Sequence, residues 1–225
     1  MRTLRLTCLT IALVMVWLSA FAAQPAQAAL PLLGQRIALD PGHGGPDPGA
    51  NRGELLEKEI VLDLGLRLRD QLRASGAAVL LTRETDTDLA DSYSGGEHSS
   101  RKRRDLLQRV KLINDWEPTL LISLHVNAIG SPRWRGAQVF YQEGNAAAEA
   151  LAECIQNSLR DVLQNTDRRP KPGDFRILND CQAAAVLVEV GFVSNPQEAA
   201  LLASDAYRSQ IAWAVYLGII NWLGQ

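Results

Sequence analysis

The chain has 225 residues, 47% of them hydrophobic and 21% charged, with 23 basic side chains against 25 acidic ones. That balance excludes intrinsic disorder, which needs low hydrophobicity and high net charge, and it excludes a collagen-like repeat. A net charge of −2 also argues against a nucleic-acid binder, which would carry a basic excess.

Arg2 and Arg5 open the chain, and from Leu6 to Ala23 no residue is charged. Ala26-Gln27-Ala28 then fits the small-x-small cleavage rule, so residues 1–28 read as a secretory signal peptide. The uncharged run is near the lower limit for spanning a bilayer, which leaves an uncleaved N-terminal anchor as the alternative. Cys8 precedes most of the apolar run and does not suit a lipoprotein cysteine. On either reading the folded part works outside the cytoplasmic membrane. Cys154 and Cys181 remain beyond the leader; export would permit a disulfide, but they fall in different predicted elements and read as buried free thiols. With no CxxC pair they are not a zinc–thiolate site.

Beyond the leader, strands and helices alternate. Ile37-Ala38-Leu39 is a buried strand stopped by Pro41-Gly42. Residues 57–75 carry Ile60, Leu64, Leu68 and Leu72 in steps of four, a helical stripe. Residues 77–81 form the next strand, and the polar stretch up to Ser100 is a loop long enough to be functional or mobile. A helix over 101–116, strands at 120–124 and 137–141, a helix over 145–164 and a polar loop over 165–173 follow. Residues 185–188 make the last buried strand, and helices over 196–203 and 205–223 close the chain, with Trp213 and Trp222 expected in the core. This alternation predicts one α/β domain, a twisted and mostly parallel sheet flanked by helices on both faces.

In such sheets the ligand crevice lies at the carboxyl ends of the strands. One strand runs into Asp40-Pro41-Gly42-His43-Gly44-Gly45, another ends Ser123-Leu124-His125-Val126-Asn127, and the last ends Val188-Glu189-Val190-Gly191. Glu57 stands at the start of the first helix. Two histidines and a carboxylate from separate segments are what an open catalytic zinc site needs, with Glu189 as the extra carboxylate that takes a proton from water. Read singly, the glycine-rich loop could be an anion-binding turn and His125 a hydrogen-bonded core histidine. A glutamate inside an apolar strand is harder to dismiss, because an unpaired buried carboxylate costs several kcal/mol and must be accompanied by a cation or a proton. Pattern alone therefore reaches a metallohydrolase and stops there.

Read together, the Asp40–Gly45, Glu57-Lys58, Ser123–Ala128 and Val188–Asn195 segments resemble the zinc-dependent N-acetylmuramoyl-L-alanine amidases, in family order across residues 36–223. Within that family, Thr82–Asp88 and Arg101–Asn114 are similar to the germination-specific, spore-cortex branch. The resemblance implies one Zn²⁺ per chain held by His43, Glu57 and His125, and a catalytic Glu189. Glu57 is chosen over Glu54 and Glu59 because the family's ligand immediately precedes a lysine, here Lys58. Asp40 is assigned to orient His43, and Asn127 either to bind substrate or to cap a turn. The implied reaction is hydrolysis of the amide between N-acetylmuramic acid and L-alanine of peptidoglycan, in formation of the cortex muramic δ-lactam.

The same resemblance implies peptidoglycan strands and stem peptides as partners, a deacetylase acting downstream and a regulatory protein, all in the wall or cortex space. The basic run Arg101–Arg104 reads as a solvated helix face, and His98 as an exposed loop residue. The competing readings are a general wall amidase of vegetative growth, a wall peptidase cutting inside the stem, and a peptidoglycan-binding module without catalysis.

Overall fold

The computed structural model describes residues 30–95 and 100–224; the leader with its cleavage site, and His98, lie outside the described residues. Each buried strand of the sheet sends alternate side chains to opposite faces, and this divides the core in two. Strand β1 (Arg36–Pro41) is followed by a two-strand hairpin, β2 (Asn51–Arg52) and β3 (Leu55–Leu56), which leads directly into helix α1 (Glu57–Ala74). Then come β4 (Ala78–Leu81), a short 3-10 turn (Ala90–Ser92), α2 (Arg101–Trp116), β5 (Leu120–Asn127), β6 (Gln138–Tyr141) and α3 (Ala146–Leu163). The chain ends with β7 (Lys171–Pro172), α4 (Arg176–Asn179), β8 (Ala184–Phe192), α5 (Pro196–Leu202) and α6 (Asp205–Leu223).

The six-stranded sheet has the order β4-β1-β5-β8-β6-β7. All neighbours are parallel except β6 against β8. Ile37, Leu39, Ile122, Leu124, Val186 and Val188 join the larger core with α1, α3 and α6, whereas Ala38, Leu121, Ala185 and Leu187 join a smaller one with α2 and α4. Helices therefore cover both faces, as the alternation predicted. Polar residues at helix starts do the capping: Ser100 accepts from the Arg103 amide, Asn145 from Ala148, and Asn195 from Gln197 and Glu198. Among the described residues no helix is long and apolar enough to cross a membrane.

Some expectations need correction. β2, β3 and β7 are two-residue strands that leave no apolar pattern: the first two have no counterpart among the predicted elements, and the third lies within the predicted loop over 165–173. Trp213 is not in the core: it is 46% exposed and stacks on Tyr216, whereas Trp222 packs partly buried against the larger core. Cys181 is buried in the smaller core, whereas Cys154 is only partly buried on α3, which packs on the opposite face, so the sheet separates the two thiols.

Candidate metal centre and active site

On the smaller-core face the apolar alternation gives way to polar groups at the carboxyl ends of three strands. Asp40 continues the row of Ala38, Ser123 and His125 continue that of Leu121, and Glu189 continues that of Leu187. His125 and Glu189 are register partners in the β5–β8 ladder. Just beyond them the ladder carries a bulge, and Asn127 pairs with Phe192. A bulge bends the strand and re-aims side chains, which suits the rim of a site.

Glu57 reaches this cluster from the first turn of α1. The helix start is closed by backbone: Glu57 N donates to Ala50 O (2.8 Å) and Lys58 N to Pro48 O (3.2 Å). The carboxylate is 3% exposed and accepts the amides of Ala50 (2.7 Å) and Val126 (2.9 Å). Its Oε1 lies 2.9 Å from His125 Nδ1 and 3.2 Å from His43 Nε2. Burial opposes its charge, but hydrogen bonds to His125 and His43 outweigh this and hold its carboxyl well below the usual range. Burial likewise opposes protonation of His43, yet contact with Glu57 and Asp47 raises its pKa on balance.

One donor atom from each of His43, Glu57 and His125 lies within 4.8 Å of the others. Three lone-pair donors converging on one point need protons or a cation between them, and two imidazoles with a carboxylate match a catalytic zinc set. The surroundings are shaped around these three side chains. A Cβ on Gly42 would come within 2.3 Å of the His125 ring, and one on Gly49 within 2.5 Å of Glu57 Oε2. Glu189 stands beside them with Oε2 buried and without a hydrogen-bond partner among the described residues. Burial is the main cause that lifts its pKa to about 7, only partly offset by the nearby histidines. The donor set and this orphaned oxygen fit a metal-assisted hydrolytic site.

The assignment of Asp40 to His43 does not hold. His43 Nδ1 is paired with Asp47 Oδ2 at 2.9 Å. Asp40 instead accepts Thr82 Oγ1 (2.7 Å), Ser123 Oγ (2.8 Å) and Arg109 Nη1 (2.8 Å), which engages both oxygens of the buried carboxylate. Asn127, assigned to substrate or to a turn, contributes its backbone carbonyl to the Val193 amide.

Two buried arginines, neither of them singled out in the sequence analysis, hold the loop that carries His43 by its carbonyls. Arg83 donates to Pro41 O (2.9 Å), Gly42 O (2.8 Å) and Lys58 O (2.7 Å). Arg109 donates to Pro41 O (2.8 Å) and His43 O, and pairs with Asp40 and Asp105 (3.0 Å). These contacts hold His43 at φ 60°, a left-handed conformation unusual for a residue with a side chain. The long loop adds a further brace, since Asp86 accepts the Gly45 amide (2.8 Å) and Lys58 Nζ (2.6 Å). One signal could have found Arg109: Asp105 and Arg109 sit i,i+4 on the inner side of an amphipathic helix, where a solvated pair would not be placed.

A stability consequence follows from Asp40. Burial raises its pKa, but the Arg109 charge and the hydrogen bonds win and lower it from 3.8 to about 2. A carboxyl depressed on folding stabilises the fold above its unfolded pKa and loses that contribution as pH falls through the folded one, here on the order of 2 kcal/mol. Urea unfolding between pH 5 and pH 2 should show this decline, and Asp40→Asn should flatten it.

A cleft of about 360 Å³ opens over this cluster, lined by residues of α2 and α4 as well as by the strand ends. Residues 37–221 match the family model described as N-acetylmuramoyl-L-alanine amidase. The chain belongs to this family. It is 50% identical over 196 residues to the germination-specific N-acetylmuramoyl-L-alanine amidase of Bacillus subtilis (strain 168), covering 86% of this chain and 82% of that protein. Identity to the amidase LytC of the same organism is 34%, over 85% of this chain and 36% of LytC. Among solved structures, the CwlD amidase of Clostridioides difficile, determined in complex with the GerS lipoprotein, superposes with a TM-score of 0.79 at 36% identity. That match covers 85% of this chain and 99% of the other. The chain is thus an N-acetylmuramoyl-L-alanine amidase, and the cleft lies at the carboxyl ends of the strands, where binding sites form in an α/β sheet.

Proposed function

We propose that this amidase is a zinc enzyme of the spore cortex. It hydrolyses the amide between N-acetylmuramic acid and L-alanine, with His43, Glu57 and His125 as ligands and Glu189 as the proton carrier. The observation that supports it most is the convergence of the three donors beside the unpartnered Glu189 oxygen. Bound zinc would polarise the amide carbonyl and make a water acidic enough to ionise near neutral pH. The protein's own part is positional and protolytic. Glu189, poised near neutrality by burial, accepts the proton of the attacking water and returns it to the departing amine of L-alanine. Asp47 fixes which ring nitrogen of His43 faces Glu57, and Arg83 and Arg109 keep the loop from relaxing.

The cortex assignment rests on the higher identity to the germination-specific relative than to LytC. Lactam closure joins the freed muramoyl carboxyl to a ring amine, so a deacetylase must expose that amine after the peptide is removed. The solved complex of a relative with a lipoprotein supports a regulatory partner here as well. Residues 1–28 are proposed to export the domain, residues 36–223, to the wall or cortex space.

Metal analysis of the purified protein should find one zinc per chain. Chelation should abolish hydrolysis of muropeptides and added zinc should restore it, while His43→Ala or Glu57→Ala should lose the metal. Full activity in a metal-free chain would overturn the zinc assignment.

A further inference from the structure

The four basic residues Arg101–Arg104 occupy the first turn of α2, which contains no acid. A helix dipole disfavours cations there, so the run works against the stability of its own helix. Arg101 has a structural role, since it pairs with Asp88 and Asp91. Lys102 is different. It begins the stripe Lys102, Asp105, Leu106 and Arg109, spaced i, i+3, i+4 and i+7, that forms one wall of the active-site cleft.

The cleft is also lined by Phe175 and Arg176, the cap and the first residue of α4. That short helix is rigidly seated: Ile177 and Leu178 are buried in the smaller core and Phe175 packs edge-on against Phe140 at 5.2 Å. Arg176 therefore stands on a fixed platform and lines the same cleft as Lys102.

Charges in the cleft are sorted by depth. The acids are inward and already bonded: Asp40 to three donors, Asp105 to Arg109 and the Leu89 amide, and Asp47 to His43 and the Gly49 amide. The cations at the mouth are outward and only lightly engaged. Lys102 has a side chain 72% exposed and lies 3.2 Å from Asp47, and Arg176 is 40% exposed and 3.1 Å from Asp180 through Nε. Its two Nη groups make no hydrogen bond among the described residues. An arginine fork with free donors, lining the same cleft as an exposed ammonium, is suited to a carboxylate.

We propose that Lys102 and Arg176 are specificity-determining residues that bind a free carboxylate of the stem peptide while its first amide lies at Glu189. This rests on the amidase reading of the cleft and names the part of the substrate it selects. It gives the basic run, otherwise costly for α2, a function through Lys102.

The test uses two disaccharide-tetrapeptides that differ only in whether the second stem residue carries a free α-carboxylate or its carboxamide. Cleavage of either by the unmodified enzyme reports on the amidase reading. Binding, measured by calorimetry on full-length zinc-loaded Glu189→Gln protein, reports on this inference without requiring turnover. The carboxylate form should bind about tenfold or more tightly than the carboxamide, the scale of one charge-assisted contact. Adding Lys102→Gln and Arg176→Gln should remove that preference while leaving carboxamide binding within about twofold, a range expected for exposed polar changes. Equal binding of the two ligands by the parent, or a preference that survives both substitutions, would overturn the proposal. Arg176→Lys keeps the charge but not the fork, and should retain only part of the preference.

Discussion

Glu189→Gln should leave the fold and the zinc content unchanged and reduce kcat by about 10²–10⁴-fold, the usual contribution of a positioned general acid–base. The substitution is nearly isosteric, and Glu189 makes no structural hydrogen bond through Oε2 that glutamine would forfeit. Its neighbours in the cluster, His43, Glu57 and His125, keep their own contacts with one another. The measurement is turnover on muropeptides alongside metal analysis of the same preparation. Retained activity in a zinc-loaded Glu189→Gln protein would remove Glu189 from the reaction. Loss of zinc together with activity would instead make it a ligand.

The second large effect is on stability. Arg109→Met should destabilise the protein by about 3–5 kcal/mol near neutral pH, because removing one partner of a buried pair strands the other. Here two acids lose a partner, Asp40 at 2.8 Å and Asp105 at 3.0 Å, and the carbonyls of Pro41 and His43 lose a donor. Without the guanidinium, the pKa of Asp40 should rise, so lowering the pH toward 4 should protonate it and narrow the gap to wild type. Arg109→Lys would restore charge but not four convergent donors, and should recover only part of the loss. Chemical denaturation at the two pH values checks this. A change below about 1 kcal/mol at pH 7, within the range of surface substitutions, would show that the network does not carry the loop of His43.

Much of the architecture was legible because buried parallel strands are continuous apolar runs. Leu120–Leu124 and Ala185–Val188 announce themselves, and the alternating helices supply the crossovers. The site was legible in a different way. His43 and His125 stand out as the polar ends of such runs, but Glu57 is 68 residues from His125 and no spacing rule connects them. Only the family resemblance joined the four motifs. What remained hidden was the support beneath the ligands. Arg109 is 69 residues from Asp40, and Arg83 is 42 from Pro41, so neither partner could be read locally. The same limit explains the misplaced role of Asp40: closeness in sequence to His43 suggested a contact, but the carboxylate is taken by Thr82, Ser123 and the distant Arg109. Asp47, only four residues beyond His43, supplies the contact instead because the glycine-rich loop folds back on itself.

The most direct test of the account is to incubate the enzyme, with zinc and with chelator, on spore-type peptidoglycan and to identify the products by mass spectrometry. Intact stem peptides with a free L-alanine amine, released only when zinc is present, are the predicted result. Fragments cut between stem amino acids, or the same peptides released equally in chelator, would contradict it.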